Sequence, residues 1–170
     1  VQHIGNGMYG AVIIDPPGLA PVDAEYALVQ SELYLGEPAE HGDFEAMAAG
    51  NPDAVVFNGY HDQYRHAPLV TRARDRVRVW LVNAGLERPS AFHVVGTQFD
   101  TVWQDGGYLV RPDDAASGAA QALALEPGQG GFVEFVLPEP GRYPFLSHVM
   151  VDAGRGASGA IIAEARGAGE

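Results

Sequence analysis

The sequence contains no cysteine in 170 residues. That excludes disulfides, zinc–thiolate sites and thiol nucleophiles, and it leaves the redox compartment unreadable from cysteine usage. Lysine is absent as well. All 10 basic residues are arginine, against 22 acidic residues, for a formal net charge of −12. A chain this acidic is repelled by phosphate backbones and anionic lipid, so neither nucleic acid nor a membrane surface is expected as a partner. The acid excess also has a plainer reading, a surface that stays soluble. No apolar run approaches the ~18–20 residues that span a bilayer, and no cleavable signal is recognisable. Walker loops, dinucleotide fingerprints, HExxH and GxSxG are missing. The stretch GNGMYG has the wrong glycine spacing for a phosphate loop and no helix pattern after it.

What is present is an ordinary globular composition, with 46% hydrophobic residues, 19% charged residues and a mean hydropathy of −0.06. The length suits about one domain, large enough to bury roughly two-thirds of its unfolded surface. Twenty-two glycines and 12 prolines cut the chain into short pieces. Many pieces alternate apolar and polar residues: 25–35, 54–59, 76–85, 91–96, 99–104, 107–110, 121–126, 131–137, 142–149 and 159–165. Short strands with turn signals every eight to twelve residues predict an antiparallel sandwich or barrel. One helix is expected within 41–52, with Asp43 as N-cap and Gly50 and Pro52 as its stop. Pro16, Pro17 and Pro21 predict a stiff linker. The boundaries read as 1–15 for the end of one unit, 16–24 for the linker, 25–165 for the main domain and 166–170 for a tail. The alternating arginines of 71–78 are expected to line one exposed strand face.

The candidates for chemistry are mostly histidines. His3 and Met8 lie five apart on a glycine-rich stretch that bends easily. An imidazole with a thioether is a copper pairing, although the same spacing serves a surface His and a packed Met. His93 and His148 sit on predicted strands, where a lone imidazole is either a metal ligand or simply hydrogen-bonded. His61 and His66, with Asp62 between them, read as a solvated loop or a weak surface metal site. His41 lies in another loop.

Taken in order, HIGNGMYGAVIIDPPG, VVFNG, AFHVVGTQFDTVW and YPFLSHVMVDAGRGASG resemble the copper-containing nitrite reductases and their two-domain multicopper oxidase relatives. The resemblance covers nearly the whole chain, and it implies a Greek-key cupredoxin β-sandwich. It implies copper as cofactor and a homotrimer of two-domain subunits. A missing N-terminal cupredoxin domain would precede this chain, with residues 1–15 as its end. His3 and Met8 match two ligands of a type 1 copper whose cysteine would lie upstream. His148 matches a type 2 copper ligand donated across a subunit interface. Ser147 stands where an oxidase has a copper thiolate.

In many nitrite reductases a histidine near the type 2 site helps deliver protons. Gln98 is read as standing at that position, and an amide cannot act as a general acid near neutral pH. His93 and Asp100 are the supporting candidates. The implied reaction is reduction of nitrite to nitric oxide, with electrons passing from type 1 to type 2 copper. A small protein or other reductant would be the donor. A laccase-like oxidase relative and a non-catalytic cupredoxin domain are the alternatives. The implied location is periplasmic or extracellular, with any membrane anchor in regions outside this chain.

Overall fold

The computed structural model describes residues 1–38 and 40–167. Residues 168–170, the end of the expected tail, lie outside the described residues. Among the described residues eleven strands are formed: β1 (Ala24–Leu33), β2 (Ala54–Phe57), β3 (Leu69–Arg72), β4 (Arg76–Asn83), β5 (Ser90–Val94), β6 (Thr101–Gln104), β7 (Gly107–Val110), β8 (Leu123–Leu125), β9 (Gly130–Val136), β10 (Gly141–Ser147) and β11 (Ser158–Glu164). They make a six-stranded sheet ordered β2-β1-β4-β9-β6-β7 and a five-stranded sheet ordered β3-β11-β10-β5-β8. The chain crosses repeatedly between the two sheets, and the expected cupredoxin sandwich is the fold observed.

Alternation dictates the packing. Strand side chains point to opposite faces in turn, so Val77, Val79 and Leu81 of β4 and Phe92 and Val94 of β5 all point into one core. Phe57, Phe92 and Phe145 pack there with ring centroids 5.6–6.2 Å apart. Burying one such side chain contributes ~1.5–3 kcal/mol.

The helices depart from the expected single one. The predicted helix is present as α2 (Phe44–Ala48), with the Asp43 carboxylate accepting from the Ala46 N–H at 3.0 Å. Among the described residues three further one-turn helices occur: α1 (Gln2–Gly5), α3 (Gln63–His66) and α4 (Met150–Gly154). Each is too short to carry a 3.6-residue apolar stripe, so none left a periodic signal.

The arginine run is also a correction. Residues 71–78 are not one strand: Arg74 turns the chain with φ 69° between β3 and β4. Arg78 is buried, 3% exposed. Its Nε donates to Glu134 Oε1 at 2.8 Å, and its Nη2 donates to the Ala20 carbonyl at 2.6 Å. The guanidinium lies over Phe132, 5.3 Å from the ring centroid, and Trp80 packs on the same ring at 4.7 Å. The linker is therefore docked. Ala20 is held by Arg78, and Asp23 exchanges hydrogen bonds with the Arg76 backbone, at 3.0 Å through its N–H and 2.7 Å through its carboxylate.

Two further carboxylates, Glu25 beside Arg78 and Asp75 beside Arg166, make the fold acid-sensitive. Glu25 is held below its usual range, first by the hydrogen bond from Trp80 Nε1; burial opposes this and Arg78 adds to it. Burial alone would raise Asp75, but the Arg72 backbone N–H and the Arg166 guanidinium outweigh it and lower it. A carboxylate lowered in the folded state stabilises above its unfolded pKa, and that stabilisation is lost as pH falls through the folded value. The melting temperature should therefore fall steadily from about pH 6 to about pH 3. A scanning-calorimetry series in which it holds constant or rises would contradict these assignments.

Candidate metal centre

β5 places Phe92 and Val94 in the core, so His93 between them projects from the opposite face of the second sheet. Its register partner on β10 is Leu146. The His93 Nδ1 lies 2.5 Å from the carbonyl oxygen of Gln121. A carbonyl only accepts, so Nδ1 carries the hydrogen and Nε2 keeps the lone pair.

His148 follows the end of β10. Ser147 before it is buried, and its Oγ accepts from the Ala91 N–H at 3.2 Å. The His148 N–H donates to the Ala91 carbonyl at 2.7 Å. The backbone is thus pinned to β5 while the ring is exposed. The two imidazoles meet edge to face, with centroids 5.6 Å apart and planes at 73°. Met150 and Val151, just beyond, are 61% and 62% exposed. An exposed imidazole therefore stands beside exposed apolar residues.

The other candidates fall elsewhere. Gln98 is exposed, and its side-chain amide makes no hydrogen bond among the described residues. Asp100 is held by Arg76, at 2.6 and 3.0 Å, and by the Thr101 hydroxyl at 2.9 Å. Hydrogen bonding to Asp100 is the first cause that raises the Arg76 guanidinium above its usual value; burial opposes it, and Glu134 adds to it. Asp100 is thus committed to an ion pair.

His3 lies in α1, and the Met8 N–H donates to its carbonyl at 2.9 Å, which closes a tight loop. Both side chains are exposed, Met8 by 69%. They line a surface hollow of about 390 Å³ with Gln2, Asn6 and His41. Asn6 Oδ1 accepts from the Gly42 N–H at 2.9 Å, and this ties the His41 loop to the His3 loop. No spacing rule pointed to His41, because a loop contact between distant segments leaves no local pattern. In the remaining pair, Asp62 engages both His61, at 3.5 Å, and Arg65, at 3.3 Å.

Among the described residues there is no group of three or more His, Cys, Asp or Glu side chains able to hold a metal ion. The donors fit copper by type, an imidazole with a thioether at one place and a free imidazole at another. Each place offers only part of a ligand set.

No family model matches the chain. It is 34% identical to the copper-containing nitrite reductase of Neisseria gonorrhoeae over 96% of its own length and 42% of the relative's. It is 33% identical to the multicopper oxidase mco of Staphylococcus aureus over 66% of this chain and 25% of that protein. The solved copper nitrite reductase of Nitrosomonas europaea superimposes with a TM-score of 0.81 at 30% identity, covering 95% of this chain and 57% of that one. The chain therefore spans about half the length of its relatives, or less. Matched by sequence and by fold over almost all of its own length, the chain is homologous to part of the copper-containing nitrite reductases.

Proposed function

We propose that this chain is the C-terminal cupredoxin portion of a copper-dependent nitrite reductase. Nitrite, one electron and two protons would give nitric oxide and water. The observation that carries the reading is the His93–His148 pair, an exposed imidazole beside one of fixed tautomer. His148 would be one ligand of a type 2 copper, completed by histidines of a second copy. His3 and Met8 would be two ligands of a type 1 copper, completed by a preceding cupredoxin domain. Copper, when bound, would supply one-electron transfer and a Lewis-acidic position for the nitrite oxygens.

The protein's own groups do the rest. His93 donates from Nδ1 to the Gln121 carbonyl, so its Nε2 takes up and returns a proton. In this reading the proton role falls to His93 and not to position 98, because His93 is the residue packed against His148. Met150 and Val151 would be covered by the second copy, which would keep water from the shared site. The relatives' greater length and the exposed Val12, Ile13 and Ile14 support a preceding domain that covers residues 1–15. The whole protein is proposed as a trimer outside the cytoplasm, fed by a small redox protein or other reductant. Among the described residues, no helix is long and apolar enough to cross a membrane.

Replacing His148 with Ala in the intact protein tests this. The expected result is loss of the type 2 copper signal in electron paramagnetic resonance while the blue absorption stays. Retention of type 2 copper would overturn the assignment.

A further inference from the structure

α4 is built inside out. Its apolar residues Met150 and Val151 face solvent, while Asp152 between them and the core is 0% exposed. Asp152 Oδ1 accepts from Arg88 Nε at 2.6 Å, and Oδ2 makes no hydrogen bond among the described residues. A buried carboxylate with one bare oxygen is costly, and an apolar side chain of similar size would sit there at less cost. Something other than burial must favour Asp at this position.

The geometry supplies a reason. Arg88 stands just before β5, and its backbone is fixed on both sides. Its N–H donates to the buried Glu32 Oε1 at 2.9 Å, and its carbonyl accepts from the buried Asn83 Nδ2 at 2.8 Å. Asp152 stands just after His148. Its N–H donates to the Val149 carbonyl at 2.8 Å, and its carbonyl accepts from the Ala157 N–H at 3.0 Å. The Arg88–Asp152 pair therefore ties the strand that carries His93 to the turn that carries His148. On its N-terminal side His148 is already pinned, through the Ala91 carbonyl. On its C-terminal side the Arg88–Asp152 pair is the charged link.

We propose that Asp152 is a positioning residue. Clamped by Arg88, it fixes the His148 imidazole against His93. This rests on the proposed role of His148, and it refines that role by naming what orients the ring. A displaced ligand imidazole weakens metal binding about 10–100-fold in comparable sites.

The test is the double variant Arg88→Met/Asp152→Leu, which removes both charges together so that neither is left buried and unpaired. In the metal-free chain, nuclear Overhauser contacts between the His93 and His148 rings are expected in the unaltered protein and lost in the double variant. Contacts between Trp80 and Phe132 should persist in both and report an intact fold. Asp152→Asn, which keeps an acceptor for Arg88, should retain the His93–His148 contact. In the intact copper protein the double variant should hold type 2 copper about 10–100-fold more weakly. Persistence of the ring contact in the double variant would overturn the proposal. That outcome is separate from failure of the ligand assignment, which would show as type 2 copper surviving His148→Ala.

Discussion

Replacing Glu134 with Leu is expected to destabilise the protein by about 3–5 kcal/mol. Glu134 is 6% exposed and receives two arginines. Its Oε1 accepts from Arg78 Nε at 2.8 Å, and its Oε2 accepts from Arg76 Nε at 2.9 Å. Arg76 keeps Asp100 as a second partner, so it tolerates the change. Arg78 does not. Its remaining carboxylate is Glu25, whose side chain is 49% exposed and whose Oε1 also accepts from Trp80 Nε1 at 2.7 Å.

Removing Glu134 would leave the buried guanidinium beside Trp80 and Phe132 with only the half-exposed Glu25 carboxylate and the Ala20 carbonyl as partners. The linker would loosen with it, because Arg78 also holds the Ala20 carbonyl. Urea unfolding followed by tryptophan fluorescence reads the effect. The companion variant Arg78→Met/Glu134→Leu should recover most of the loss, since the site then packs as an apolar extension of the Trp80–Phe132–Trp103 stack. If Glu134→Leu costs less than about 1 kcal/mol, the range of an exposed pair, the pair is not the anchor described.

Replacing His93 with Gln should lower nitrite turnover in the intact protein by about 10²–10⁴-fold, the usual contribution of a positioned general acid or base. Glutamine can still donate to the Gln121 carbonyl, so local structure is kept, but it has no site that gains and loses a proton near neutral pH. Copper content and the blue absorption should not change. Gln98→His is the matched control and should leave turnover unchanged, because residue 98 is exposed beyond the end of β5. A large gain from Gln98→His, with His93→Gln neutral, would return the proton role to position 98.

These two sites differ in how far the sequence disclosed them. The alternation Val77, Val79, Leu81 made β4 readable, because the period of two is local. The same alternation put Arg76 and Arg78 on the other face and suggested exposure. Arg78 is covered instead by the linker at Ala20 and by Phe132 of β9, neither of them a neighbour in sequence. β3 was missed as a separate strand because its four residues run directly into the arginine pattern, and only the positive φ of Arg74 separates the two. His93 and His148 were each visible as a histidine on a strand. Their contact depends on β5 and β10 pairing with His93 opposite Leu146, and strand register is set by packing across the core.

By itself the sequence determined an all-β fold of short strands, sandwich or barrel, through alternating short segments broken by Gly and Pro; the family resemblance chose the sandwich. It determined the acid excess, the lack of any thiolate, and an imidazole–thioether pair at positions 3 and 8. These are properties of composition or of neighbours along the chain. The tertiary structure alone decided that His148 meets His93, that His41 shares a hollow with His3 and Met8, and that Arg78 and Asp152 are buried. Each of those facts joins segments far apart in sequence. The joining is done by sheet register and by crossovers between the two sheets, which no local window of residues encodes.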